Sequence, residues 1–428
     1  METLSQLRET TDCYQRTVLP NGIRIVSEYM PYIRSITIGV WVLSGTRFEP
    51  IDKSGIAHFV EHALFKGTEN RTAYQIAQSI ESLGGYLNAF TGRELNCFFA
   101  RVMDNNLSAA VEVLGDILQY SRFDSQEIEK EKMVVIEEIH ALEDSPEELC
   151  SELYSSLIWN SHPLGKPILG SPSSISAFEQ KDLVEYLRQR YTSQNIFVTV
   201  AGHVNHDELV ELVRNQYNFP RQNTNKNLDL IPTTSSGNKR KWVQSRDISQ
   251  VHLCLGGLSV PCTSTSKYTL FLLNGILGGG MTSRLFQKVR EEAGLAYSIF
   301  SDVDLYLDSG QLCISAGVDP ADPQHTIDLI LQECRMLQKN GITKDELKDI
   351  RSQLTGSLYL SIEETGSVMN RLARMEIYEN SYCSISDTIK RLQNVTIDDI
   401  IELAEKLFAD DNIYLTAVGP ISEGDLSL

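Results

Sequence analysis

No run of 18 apolar residues occurs in the chain, which excludes a transmembrane helix. Residues 1–12 have no basic n-region followed by an apolar stretch, and no Arg-rich, acid-poor transit pattern. No secretory or organelle signal is therefore expected. A C-x-x-C pair is also missing. The eight cysteines (Cys13, Cys97, Cys150, Cys254, Cys262, Cys313, Cys334, Cys383) are scattered, which in a chain this long implies reduced, mostly buried thiols in a cytoplasmic setting. Basic residues are scarce: 38 Lys and Arg stand against 57 Asp and Glu, a formal net charge of −19. That disfavours nucleic acid and anionic membrane as partners. It would favour basic peptides if the acid lined a cleft, whereas dispersed, solvated acids are the ordinary alternative. Low-complexity tracts are absent, and 42% hydrophobic with 22% charged residues is ordinary globular composition. A length of 428 residues exceeds one hydrophobic core, so two or more domains are expected.

One stretch, residues 55–68, carries the chemistry: Gly55-Ile56-Ala57-His58-Phe59-Val60-Glu61-His62-Ala63-Leu64-Phe65-Lys66-Gly67-Thr68. On a helix, His58, Glu61 and His62 project from one face, while Phe59 and Val60 turn to the interior. Two imidazoles at i, i+4 form a pair of zinc ligands, with a carboxylate beside them placed to take a proton from water. This is H-x-x-E-H, the zinc-peptidase order reversed. Taken alone, the five letters also suit two histidines making ordinary hydrogen bonds on a partly buried helix. The third ligand decides between these readings.

Strands are expected over 17–19, 23–27 and 35–42, the last alternating and β-branched, with a turn at Pro20-Asn21-Gly22. An amphipathic helix over 73–83 ends at Gly84-Gly85, strands over 86–91 and 96–102 flank a polar turn, and helical period covers 105–119 and 124–143. A helix over 180–191 precedes a buried strand at 195–202. From about 220 to 241 the chain turns polar and Asn/Thr/Ser-rich, which reads as a linker. Beyond it, 412–419 matches 195–202 at an offset of 217 (412 − 195), and 251–258 matches strand 35–42. The expected organisation is α+β: two homologous α/β-sandwich units, mostly antiparallel sheet packed with helices, related by internal duplication. They span 1–220 and 242–428, joined by a linker at 221–241. The second copy lacks H-x-x-E-H. At the register of the zinc helix it has the apolar, glycine-rich 272–280.

In helix 124–143, Glu131 and Glu138 are seven apart and share a face flanked by Val134 and Val135. A carboxylate among aliphatics is costly unless paired or metal-bound. Glu127, Glu129 and Glu137 read as a solvated edge. Three further motifs stand in order: Gly84-Gly85-x-x-Asn88-Ala89-x-Thr91, then His162-Pro163-Leu164-Gly165-Lys166-Pro167-Ile168-Leu169-Gly170, then Gly278-Gly279-Gly280-Met281-x-Ser283-Arg284-Leu285 with Arg290 and Tyr297 downstream. With H-x-x-E-H, these resemble the M16 peptidases, the family of pitrilysin, insulin-degrading enzyme and mitochondrial processing peptidase. At this length the chain is most similar to single-unit bacterial members and to the processing-peptidase β subunit.

The resemblance implies a third zinc ligand about 76 residues after the motif, and 62 + 76 = 138 is Glu138. It implies a supporting role for Glu131, a substrate-accepting edge strand at Asn88 and Ala89, and an Arg290/Tyr297 pair that closes on the substrate. Departures are Ala63 for the usual Met and Asn96 for a common Thr; neither is expected to touch the chemistry. The activity implied is zinc-dependent endopeptidase cleavage of peptides or unfolded polypeptides inside a clamshell chamber, with Glu61 as general base and one Zn²⁺ per chain. A two-chain clamshell is expected, a homodimer because this chain carries both halves of the site. The alternatives are a presequence-type processing subunit needing a different M16 partner, and a non-catalytic assembly protein.

Overall fold

The computed structural model describes residues 13–160, 162–221, 240–379 and 381–428; of the expected linker, residues 222–239 lie outside the described residues. The chain forms two compact units.

The first unit takes its described residues from the spans Met1–Ile139, Lys166–Leu228 and Tyr359–Cys383. Its sheet holds β1 (Tyr14–Val18), β2 (Arg24–Tyr29), β3 (Ser35–Val42), β4 (Tyr86–Thr91), β5 (Asn96–Met103) and β6 (Ile196–Gly202) in the order β1-β2-β6-β3-β5-β4. Only the β2/β6 pair is parallel. One face carries Ile36, Ile38, Val40, Phe98 and Ala100 into a core with four helices: α1 (Ile56–Leu64), α2 (Ala73–Glu81), α3 (Leu107–Gln119) and α4 (Ser125–Asp144). Thr72 and Gln75 close a reciprocal cap on α2. These bounds fall within a residue or two of the sequence reading, except that β1 begins three residues early, at Tyr14, and 104–106 is a 3₁₀ turn ahead of α3.

The alternation of β3 suggests one solvated face, yet every residue from Ile36 to Val42 is buried. The second face of the sheet is covered by helix Thr365–Arg374: Thr37 and Thr365 hydroxyls bond at 2.7 Å, and Glu28 accepts from Arg371 at 2.6 Å. Glu376, just beyond that helix, is bonded by Arg16 at 2.8 Å. A strand buried on both faces needs a layer on each. That layer comes from far along the chain, so the unit is not one continuous stretch.

The second unit has the same design. Its strands are β7 (Lys241–Ser245), β8 (Val251–Ser259), β9 (Ala296–Leu305), β10 (Gly310–Val318) and β11 (Tyr414–Gly419), ordered β7-β11-β8-β10-β9. This repeats β2-β6-β3-β5-β4 strand for strand, including the single parallel pair, β7/β11. Helix Pro146–Trp159 covers the second face, with Tyr154 Oη donating to the Leu312 carbonyl at 2.6 Å and Trp159 Nε1 to Gln311 at 3.1 Å. The duplication extends to single glycines. Gly202 closes β6 at φ +131°, where a Cβ would lie 2.2 Å from the Ser35 carbonyl oxygen. At the equivalent Gly419, a Cβ would meet the Gln250 oxygen and Val251 Cα at 2.9 Å. Both positions need glycine because a neighbouring backbone fills the space. Gly202→Ala should destabilise the chain by about 2–4 kcal/mol in urea unfolding; a loss within ~0.5 kcal/mol would contradict this packing.

Candidate metal centre

Helix α1 starts abruptly. Gly55 holds φ +88°, and a Cβ there would sit 2.7 Å from the Leu169 carbonyl oxygen. The Glu49 carboxylate accepts from the backbone N–H of Gly55 at 3.0 Å and of Ala57 at 2.9 Å. Carboxyl oxygens are thereby placed on orphan donors at the positive end of the helix. Lys166 Nζ bonds the Glu49 carbonyl at 3.2 Å, and Arg93 bonds the Lys166 carbonyl at 2.7 Å. Phe59, Val60 and Ala63 anchor α1 in the core, which leaves His58, Glu61 and His62 on its other face. Glu49 was not singled out from the sequence. Its only signal is an acid a few residues ahead of a helix start, which is common.

Helix α4 brings Glu138 to the two histidines. Its Oε2 lies 3.8 Å from His58 Nε2 and 3.6 Å from His62 Nε2. One donor atom from each of the three residues falls within 4.8 Å of the others, the only such His/Cys/Asp/Glu group among the described residues. Tetrahedral donors ~2.1 Å from a zinc ion are roughly 3.4 Å apart, so the donor set and its spacing suit that ion. Glu131, 4% exposed, accepts from His62 Nδ1 at 3.2 Å and from Lys66 Nζ at 2.7 Å. Its bond to one ring nitrogen directs the other, Nε2, toward Glu138. Of the flanking valines, Val135 is buried and Val134 is exposed.

The two imidazoles sit in opposite fields. Burial, followed by the neighbouring His62, pushes the His58 ring down to about 3, so it stays neutral with a free lone pair. Its Nδ1 is buried without a hydrogen-bond partner. For His62, burial acts downward, but the Glu131 hydrogen bond with Glu138 and Glu61 together raise it. Glu61 is raised by burial, opposed by a hydrogen bond from Thr91. Glu131 lies below the usual carboxylate range: burial raises it, but the His62 and Lys66 bonds outweigh that.

Asn88 and Ala89 lie on β4, the edge strand, whose outer side has no partner strand among the described residues. The Asn88 side chain turns back to its own neighbours, Ala89 N at 2.8 Å and the Tyr86 hydroxyl. Arg290 and Tyr297 belong to the second unit and are close to each other, the guanidinium 5.7 Å from the ring centroid. Tyr297 is 78% exposed, beside an open cleft of about 540 Å³ lined by Ser249, Gln250 and Arg290. Asn96 corrects the sequence reading. It donates to Thr91 Oγ1 at 2.6 Å, and Thr91 in turn donates to Glu61, so this departure does reach the carboxylate beside the two histidines.

Fold and donor set define an α+β protein with a duplicated unit, one half of which brings three potential metal donors together. A sequence profile described as Insulinase (Peptidase family M16) matches residues 24–172, and one described as Peptidase M16 inactive domain matches 177–354. The uncharacterized zinc protease YmxG of Bacillus subtilis is 36% identical over 397 residues, covering 93% of this chain and 96% of its own. An uncharacterized zinc protease of Mycobacterium leprae is also 36% identical, covering 92% of this chain and 88% of its own. Among solved structures, a protease from Helicobacter pylori superposes with a TM-score of 0.89 at 22% identity, over 95% of this chain and 99% of that one. The chain belongs to peptidase family M16.

Burial pushes the Glu49 carboxyl up to about 7, against the pull of the Ala57 and Gly55 N–H groups and of Lys166. The folded state therefore holds this proton more tightly than the unfolded chain, whose value is about 4.5. The stability this adds is present below about pH 4.5 and is lost as pH rises through about 7. Relative to Glu49→Gln, the wild type should lose about 3 kcal/mol across that window in urea unfolding. A pH-independent difference would contradict the buried placement.

Proposed function

We propose that this protein is a zinc-dependent endopeptidase acting on peptides or unfolded polypeptides, with one Zn²⁺ per chain on His58, His62 and Glu138. The convergence of those three donors beside Glu61 carries the reading. When bound there, zinc supplies Lewis acidity, which acidifies water and polarises a carbonyl. Glu61 takes the proton of the attacking water and returns it to the leaving amine; burial raises its basicity toward that task. Glu131 keeps the His62 ring turned. The open edge of β4 suits a peptide added as a further strand, its backbone held at Asn88 and Ala89. Tyr297 donates to the developing oxyanion and Arg290 holds the substrate backbone. All eight cysteines lie outside disulfides and six of them are buried, which supports a cytoplasmic location.

The proposed assembly is a homodimeric clamshell in which the metal half of one copy faces Arg290 and Tyr297 of the other. A processing subunit with a different M16 partner is the second form of the same chemistry. Retention of every donor and of Glu61 argues against a purely structural role.

Glu61→Gln should keep stoichiometric zinc and lower kcat on a quenched basic peptide by about 10²–10⁴-fold; near-normal turnover would remove Glu61 from the mechanism. Chelator should abolish wild-type cleavage and Zn²⁺ restore it. Mixing Glu61→Gln chains with Tyr297→Phe chains tests the shared site. One of two sites in each mixed dimer regains both groups, so about a quarter of wild-type activity should return. No recovery in dimers that exchange chains would reject the shared site.

A further inference from the structure

We infer that Asn96 and Thr91 are positioning residues for Glu61, members of a relay that begins at the buried Ser44 and ends on the partly buried carboxylate. Ser44 Oγ donates to Asn96 Oδ1 at 2.8 Å. The Asn96 amide nitrogen donates to Thr91 Oγ1 at 2.6 Å and to the Ala57 carbonyl at 3.3 Å. Thr91 Oγ1 donates to Glu61 Oε2. Asn96 and Ser44 are both 0% exposed, so water does not compete for these groups.

The direction of the relay follows from its fixed members. The Ala57 carbonyl can only accept, so the amide nitrogen of Asn96 must face it, and the amide oxygen faces Ser44. Thr91 has one hydroxyl hydrogen. Because Asn96 already donates to its oxygen, that hydrogen is left for Glu61. The relay thus sets which Glu61 oxygen is engaged and leaves Oε1 free for a proton. It also ties the end of β4 to the first turn of α1, since Ala57 immediately precedes His58. The Asn96 amide donates to two acceptors at once, the Thr91 hydroxyl and the Ala57 carbonyl, which a hydroxyl with its single hydrogen cannot.

This inference rests on the peptidase reading for its catalytic consequence, but its geometry can be tested without turnover. Two variants break the relay differently. Thr91→Val removes the hydroxyl at nearly constant volume. Asn96→Asp replaces the donor by a carboxylate that accepts the Thr91 hydrogen and turns it away from Glu61. Both should bind Zn²⁺ in competition with a chromophoric chelator within about threefold of wild type, with KM little changed and kcat down by about 10–100-fold. Thr91→Ser, which keeps the donor, should recover most of the loss. Crystals of Thr91→Val should show the Glu61 carboxylate rotated while His58 and His62 stay in place. If Asn96→Asp does not fold, Thr91→Val and Thr91→Ser carry the test. A Thr91→Val kcat within twofold of wild type, an unmoved Glu61, or zinc affinity falling as far as kcat would each overturn the inference. If the wild type cleaves no peptide, the peptidase reading fails, while the Glu61 orientation in Thr91→Val still reports on the relay.

Discussion

The metal-binding group depends on burying two imidazoles next to a carboxylate without charging the first of them. A protonated His58 would be an ion in a desolvated pocket, and burial holds its pKa near 3. His62 shares the helix but has acids on several sides, and its remaining ring nitrogen is occupied by Glu131. Such an arrangement tolerates little slack in α1. The helix is pinned at its start by the Glu49 carboxylate, along its length by Phe59 and Val60 in the core, and sideways by the Asn96 bond to Ala57. Each of these is a buried polar group satisfied by partners or an apolar group in contact, so movement of the helix would cost several of them together.

The duplicated fold shows how one frame serves two ends. In the first copy the helix after β3 presents three polar groups. In the second, helix Lys267–Gly278 follows β8 and buries Leu272, Leu273, Ile276 and Leu277 in its core. The strand orders are the same, so the difference lies in side chains and not in topology. The second copy instead offers a cation–aromatic pair, with Arg290 in the helical segment ahead of its own edge strand β9 and the exposed Tyr297 near the start of that strand.

Much of this was legible in the sequence, because the signals were local or repeated. The i, i+4 histidines give the metal face, the period-3.6 stretches give the helices, and the strand pair 195–202 and 412–419 gives the duplication. Helical spacing puts Glu138 on the Glu131 face and leaves Glu137 on a solvated edge, but Glu138 became legible as the third donor only through a family spacing. What stayed hidden was set by contacts between distant segments. The burial of β3 on both faces comes from Thr365–Arg374, more than three hundred residues away, as the Thr37–Thr365 bond shows. Glu49 and Asn96 acquire their roles only when loops and strand ends fold onto α1. Asn96 in particular reads as a substitution without consequence until Thr91 and Glu61 are seen beside it.

The most direct measurement is the metal itself. Protein purified under metal-replete conditions should carry one zinc per chain, with X-ray absorption showing two imidazole nitrogens and one carboxylate oxygen near 2.0–2.2 Å. That zinc should be lost in His62→Ala and in Glu138→Ala. A wild-type chain without stoichiometric zinc, or one that keeps it when His62 and Glu138 are removed, would contradict the account.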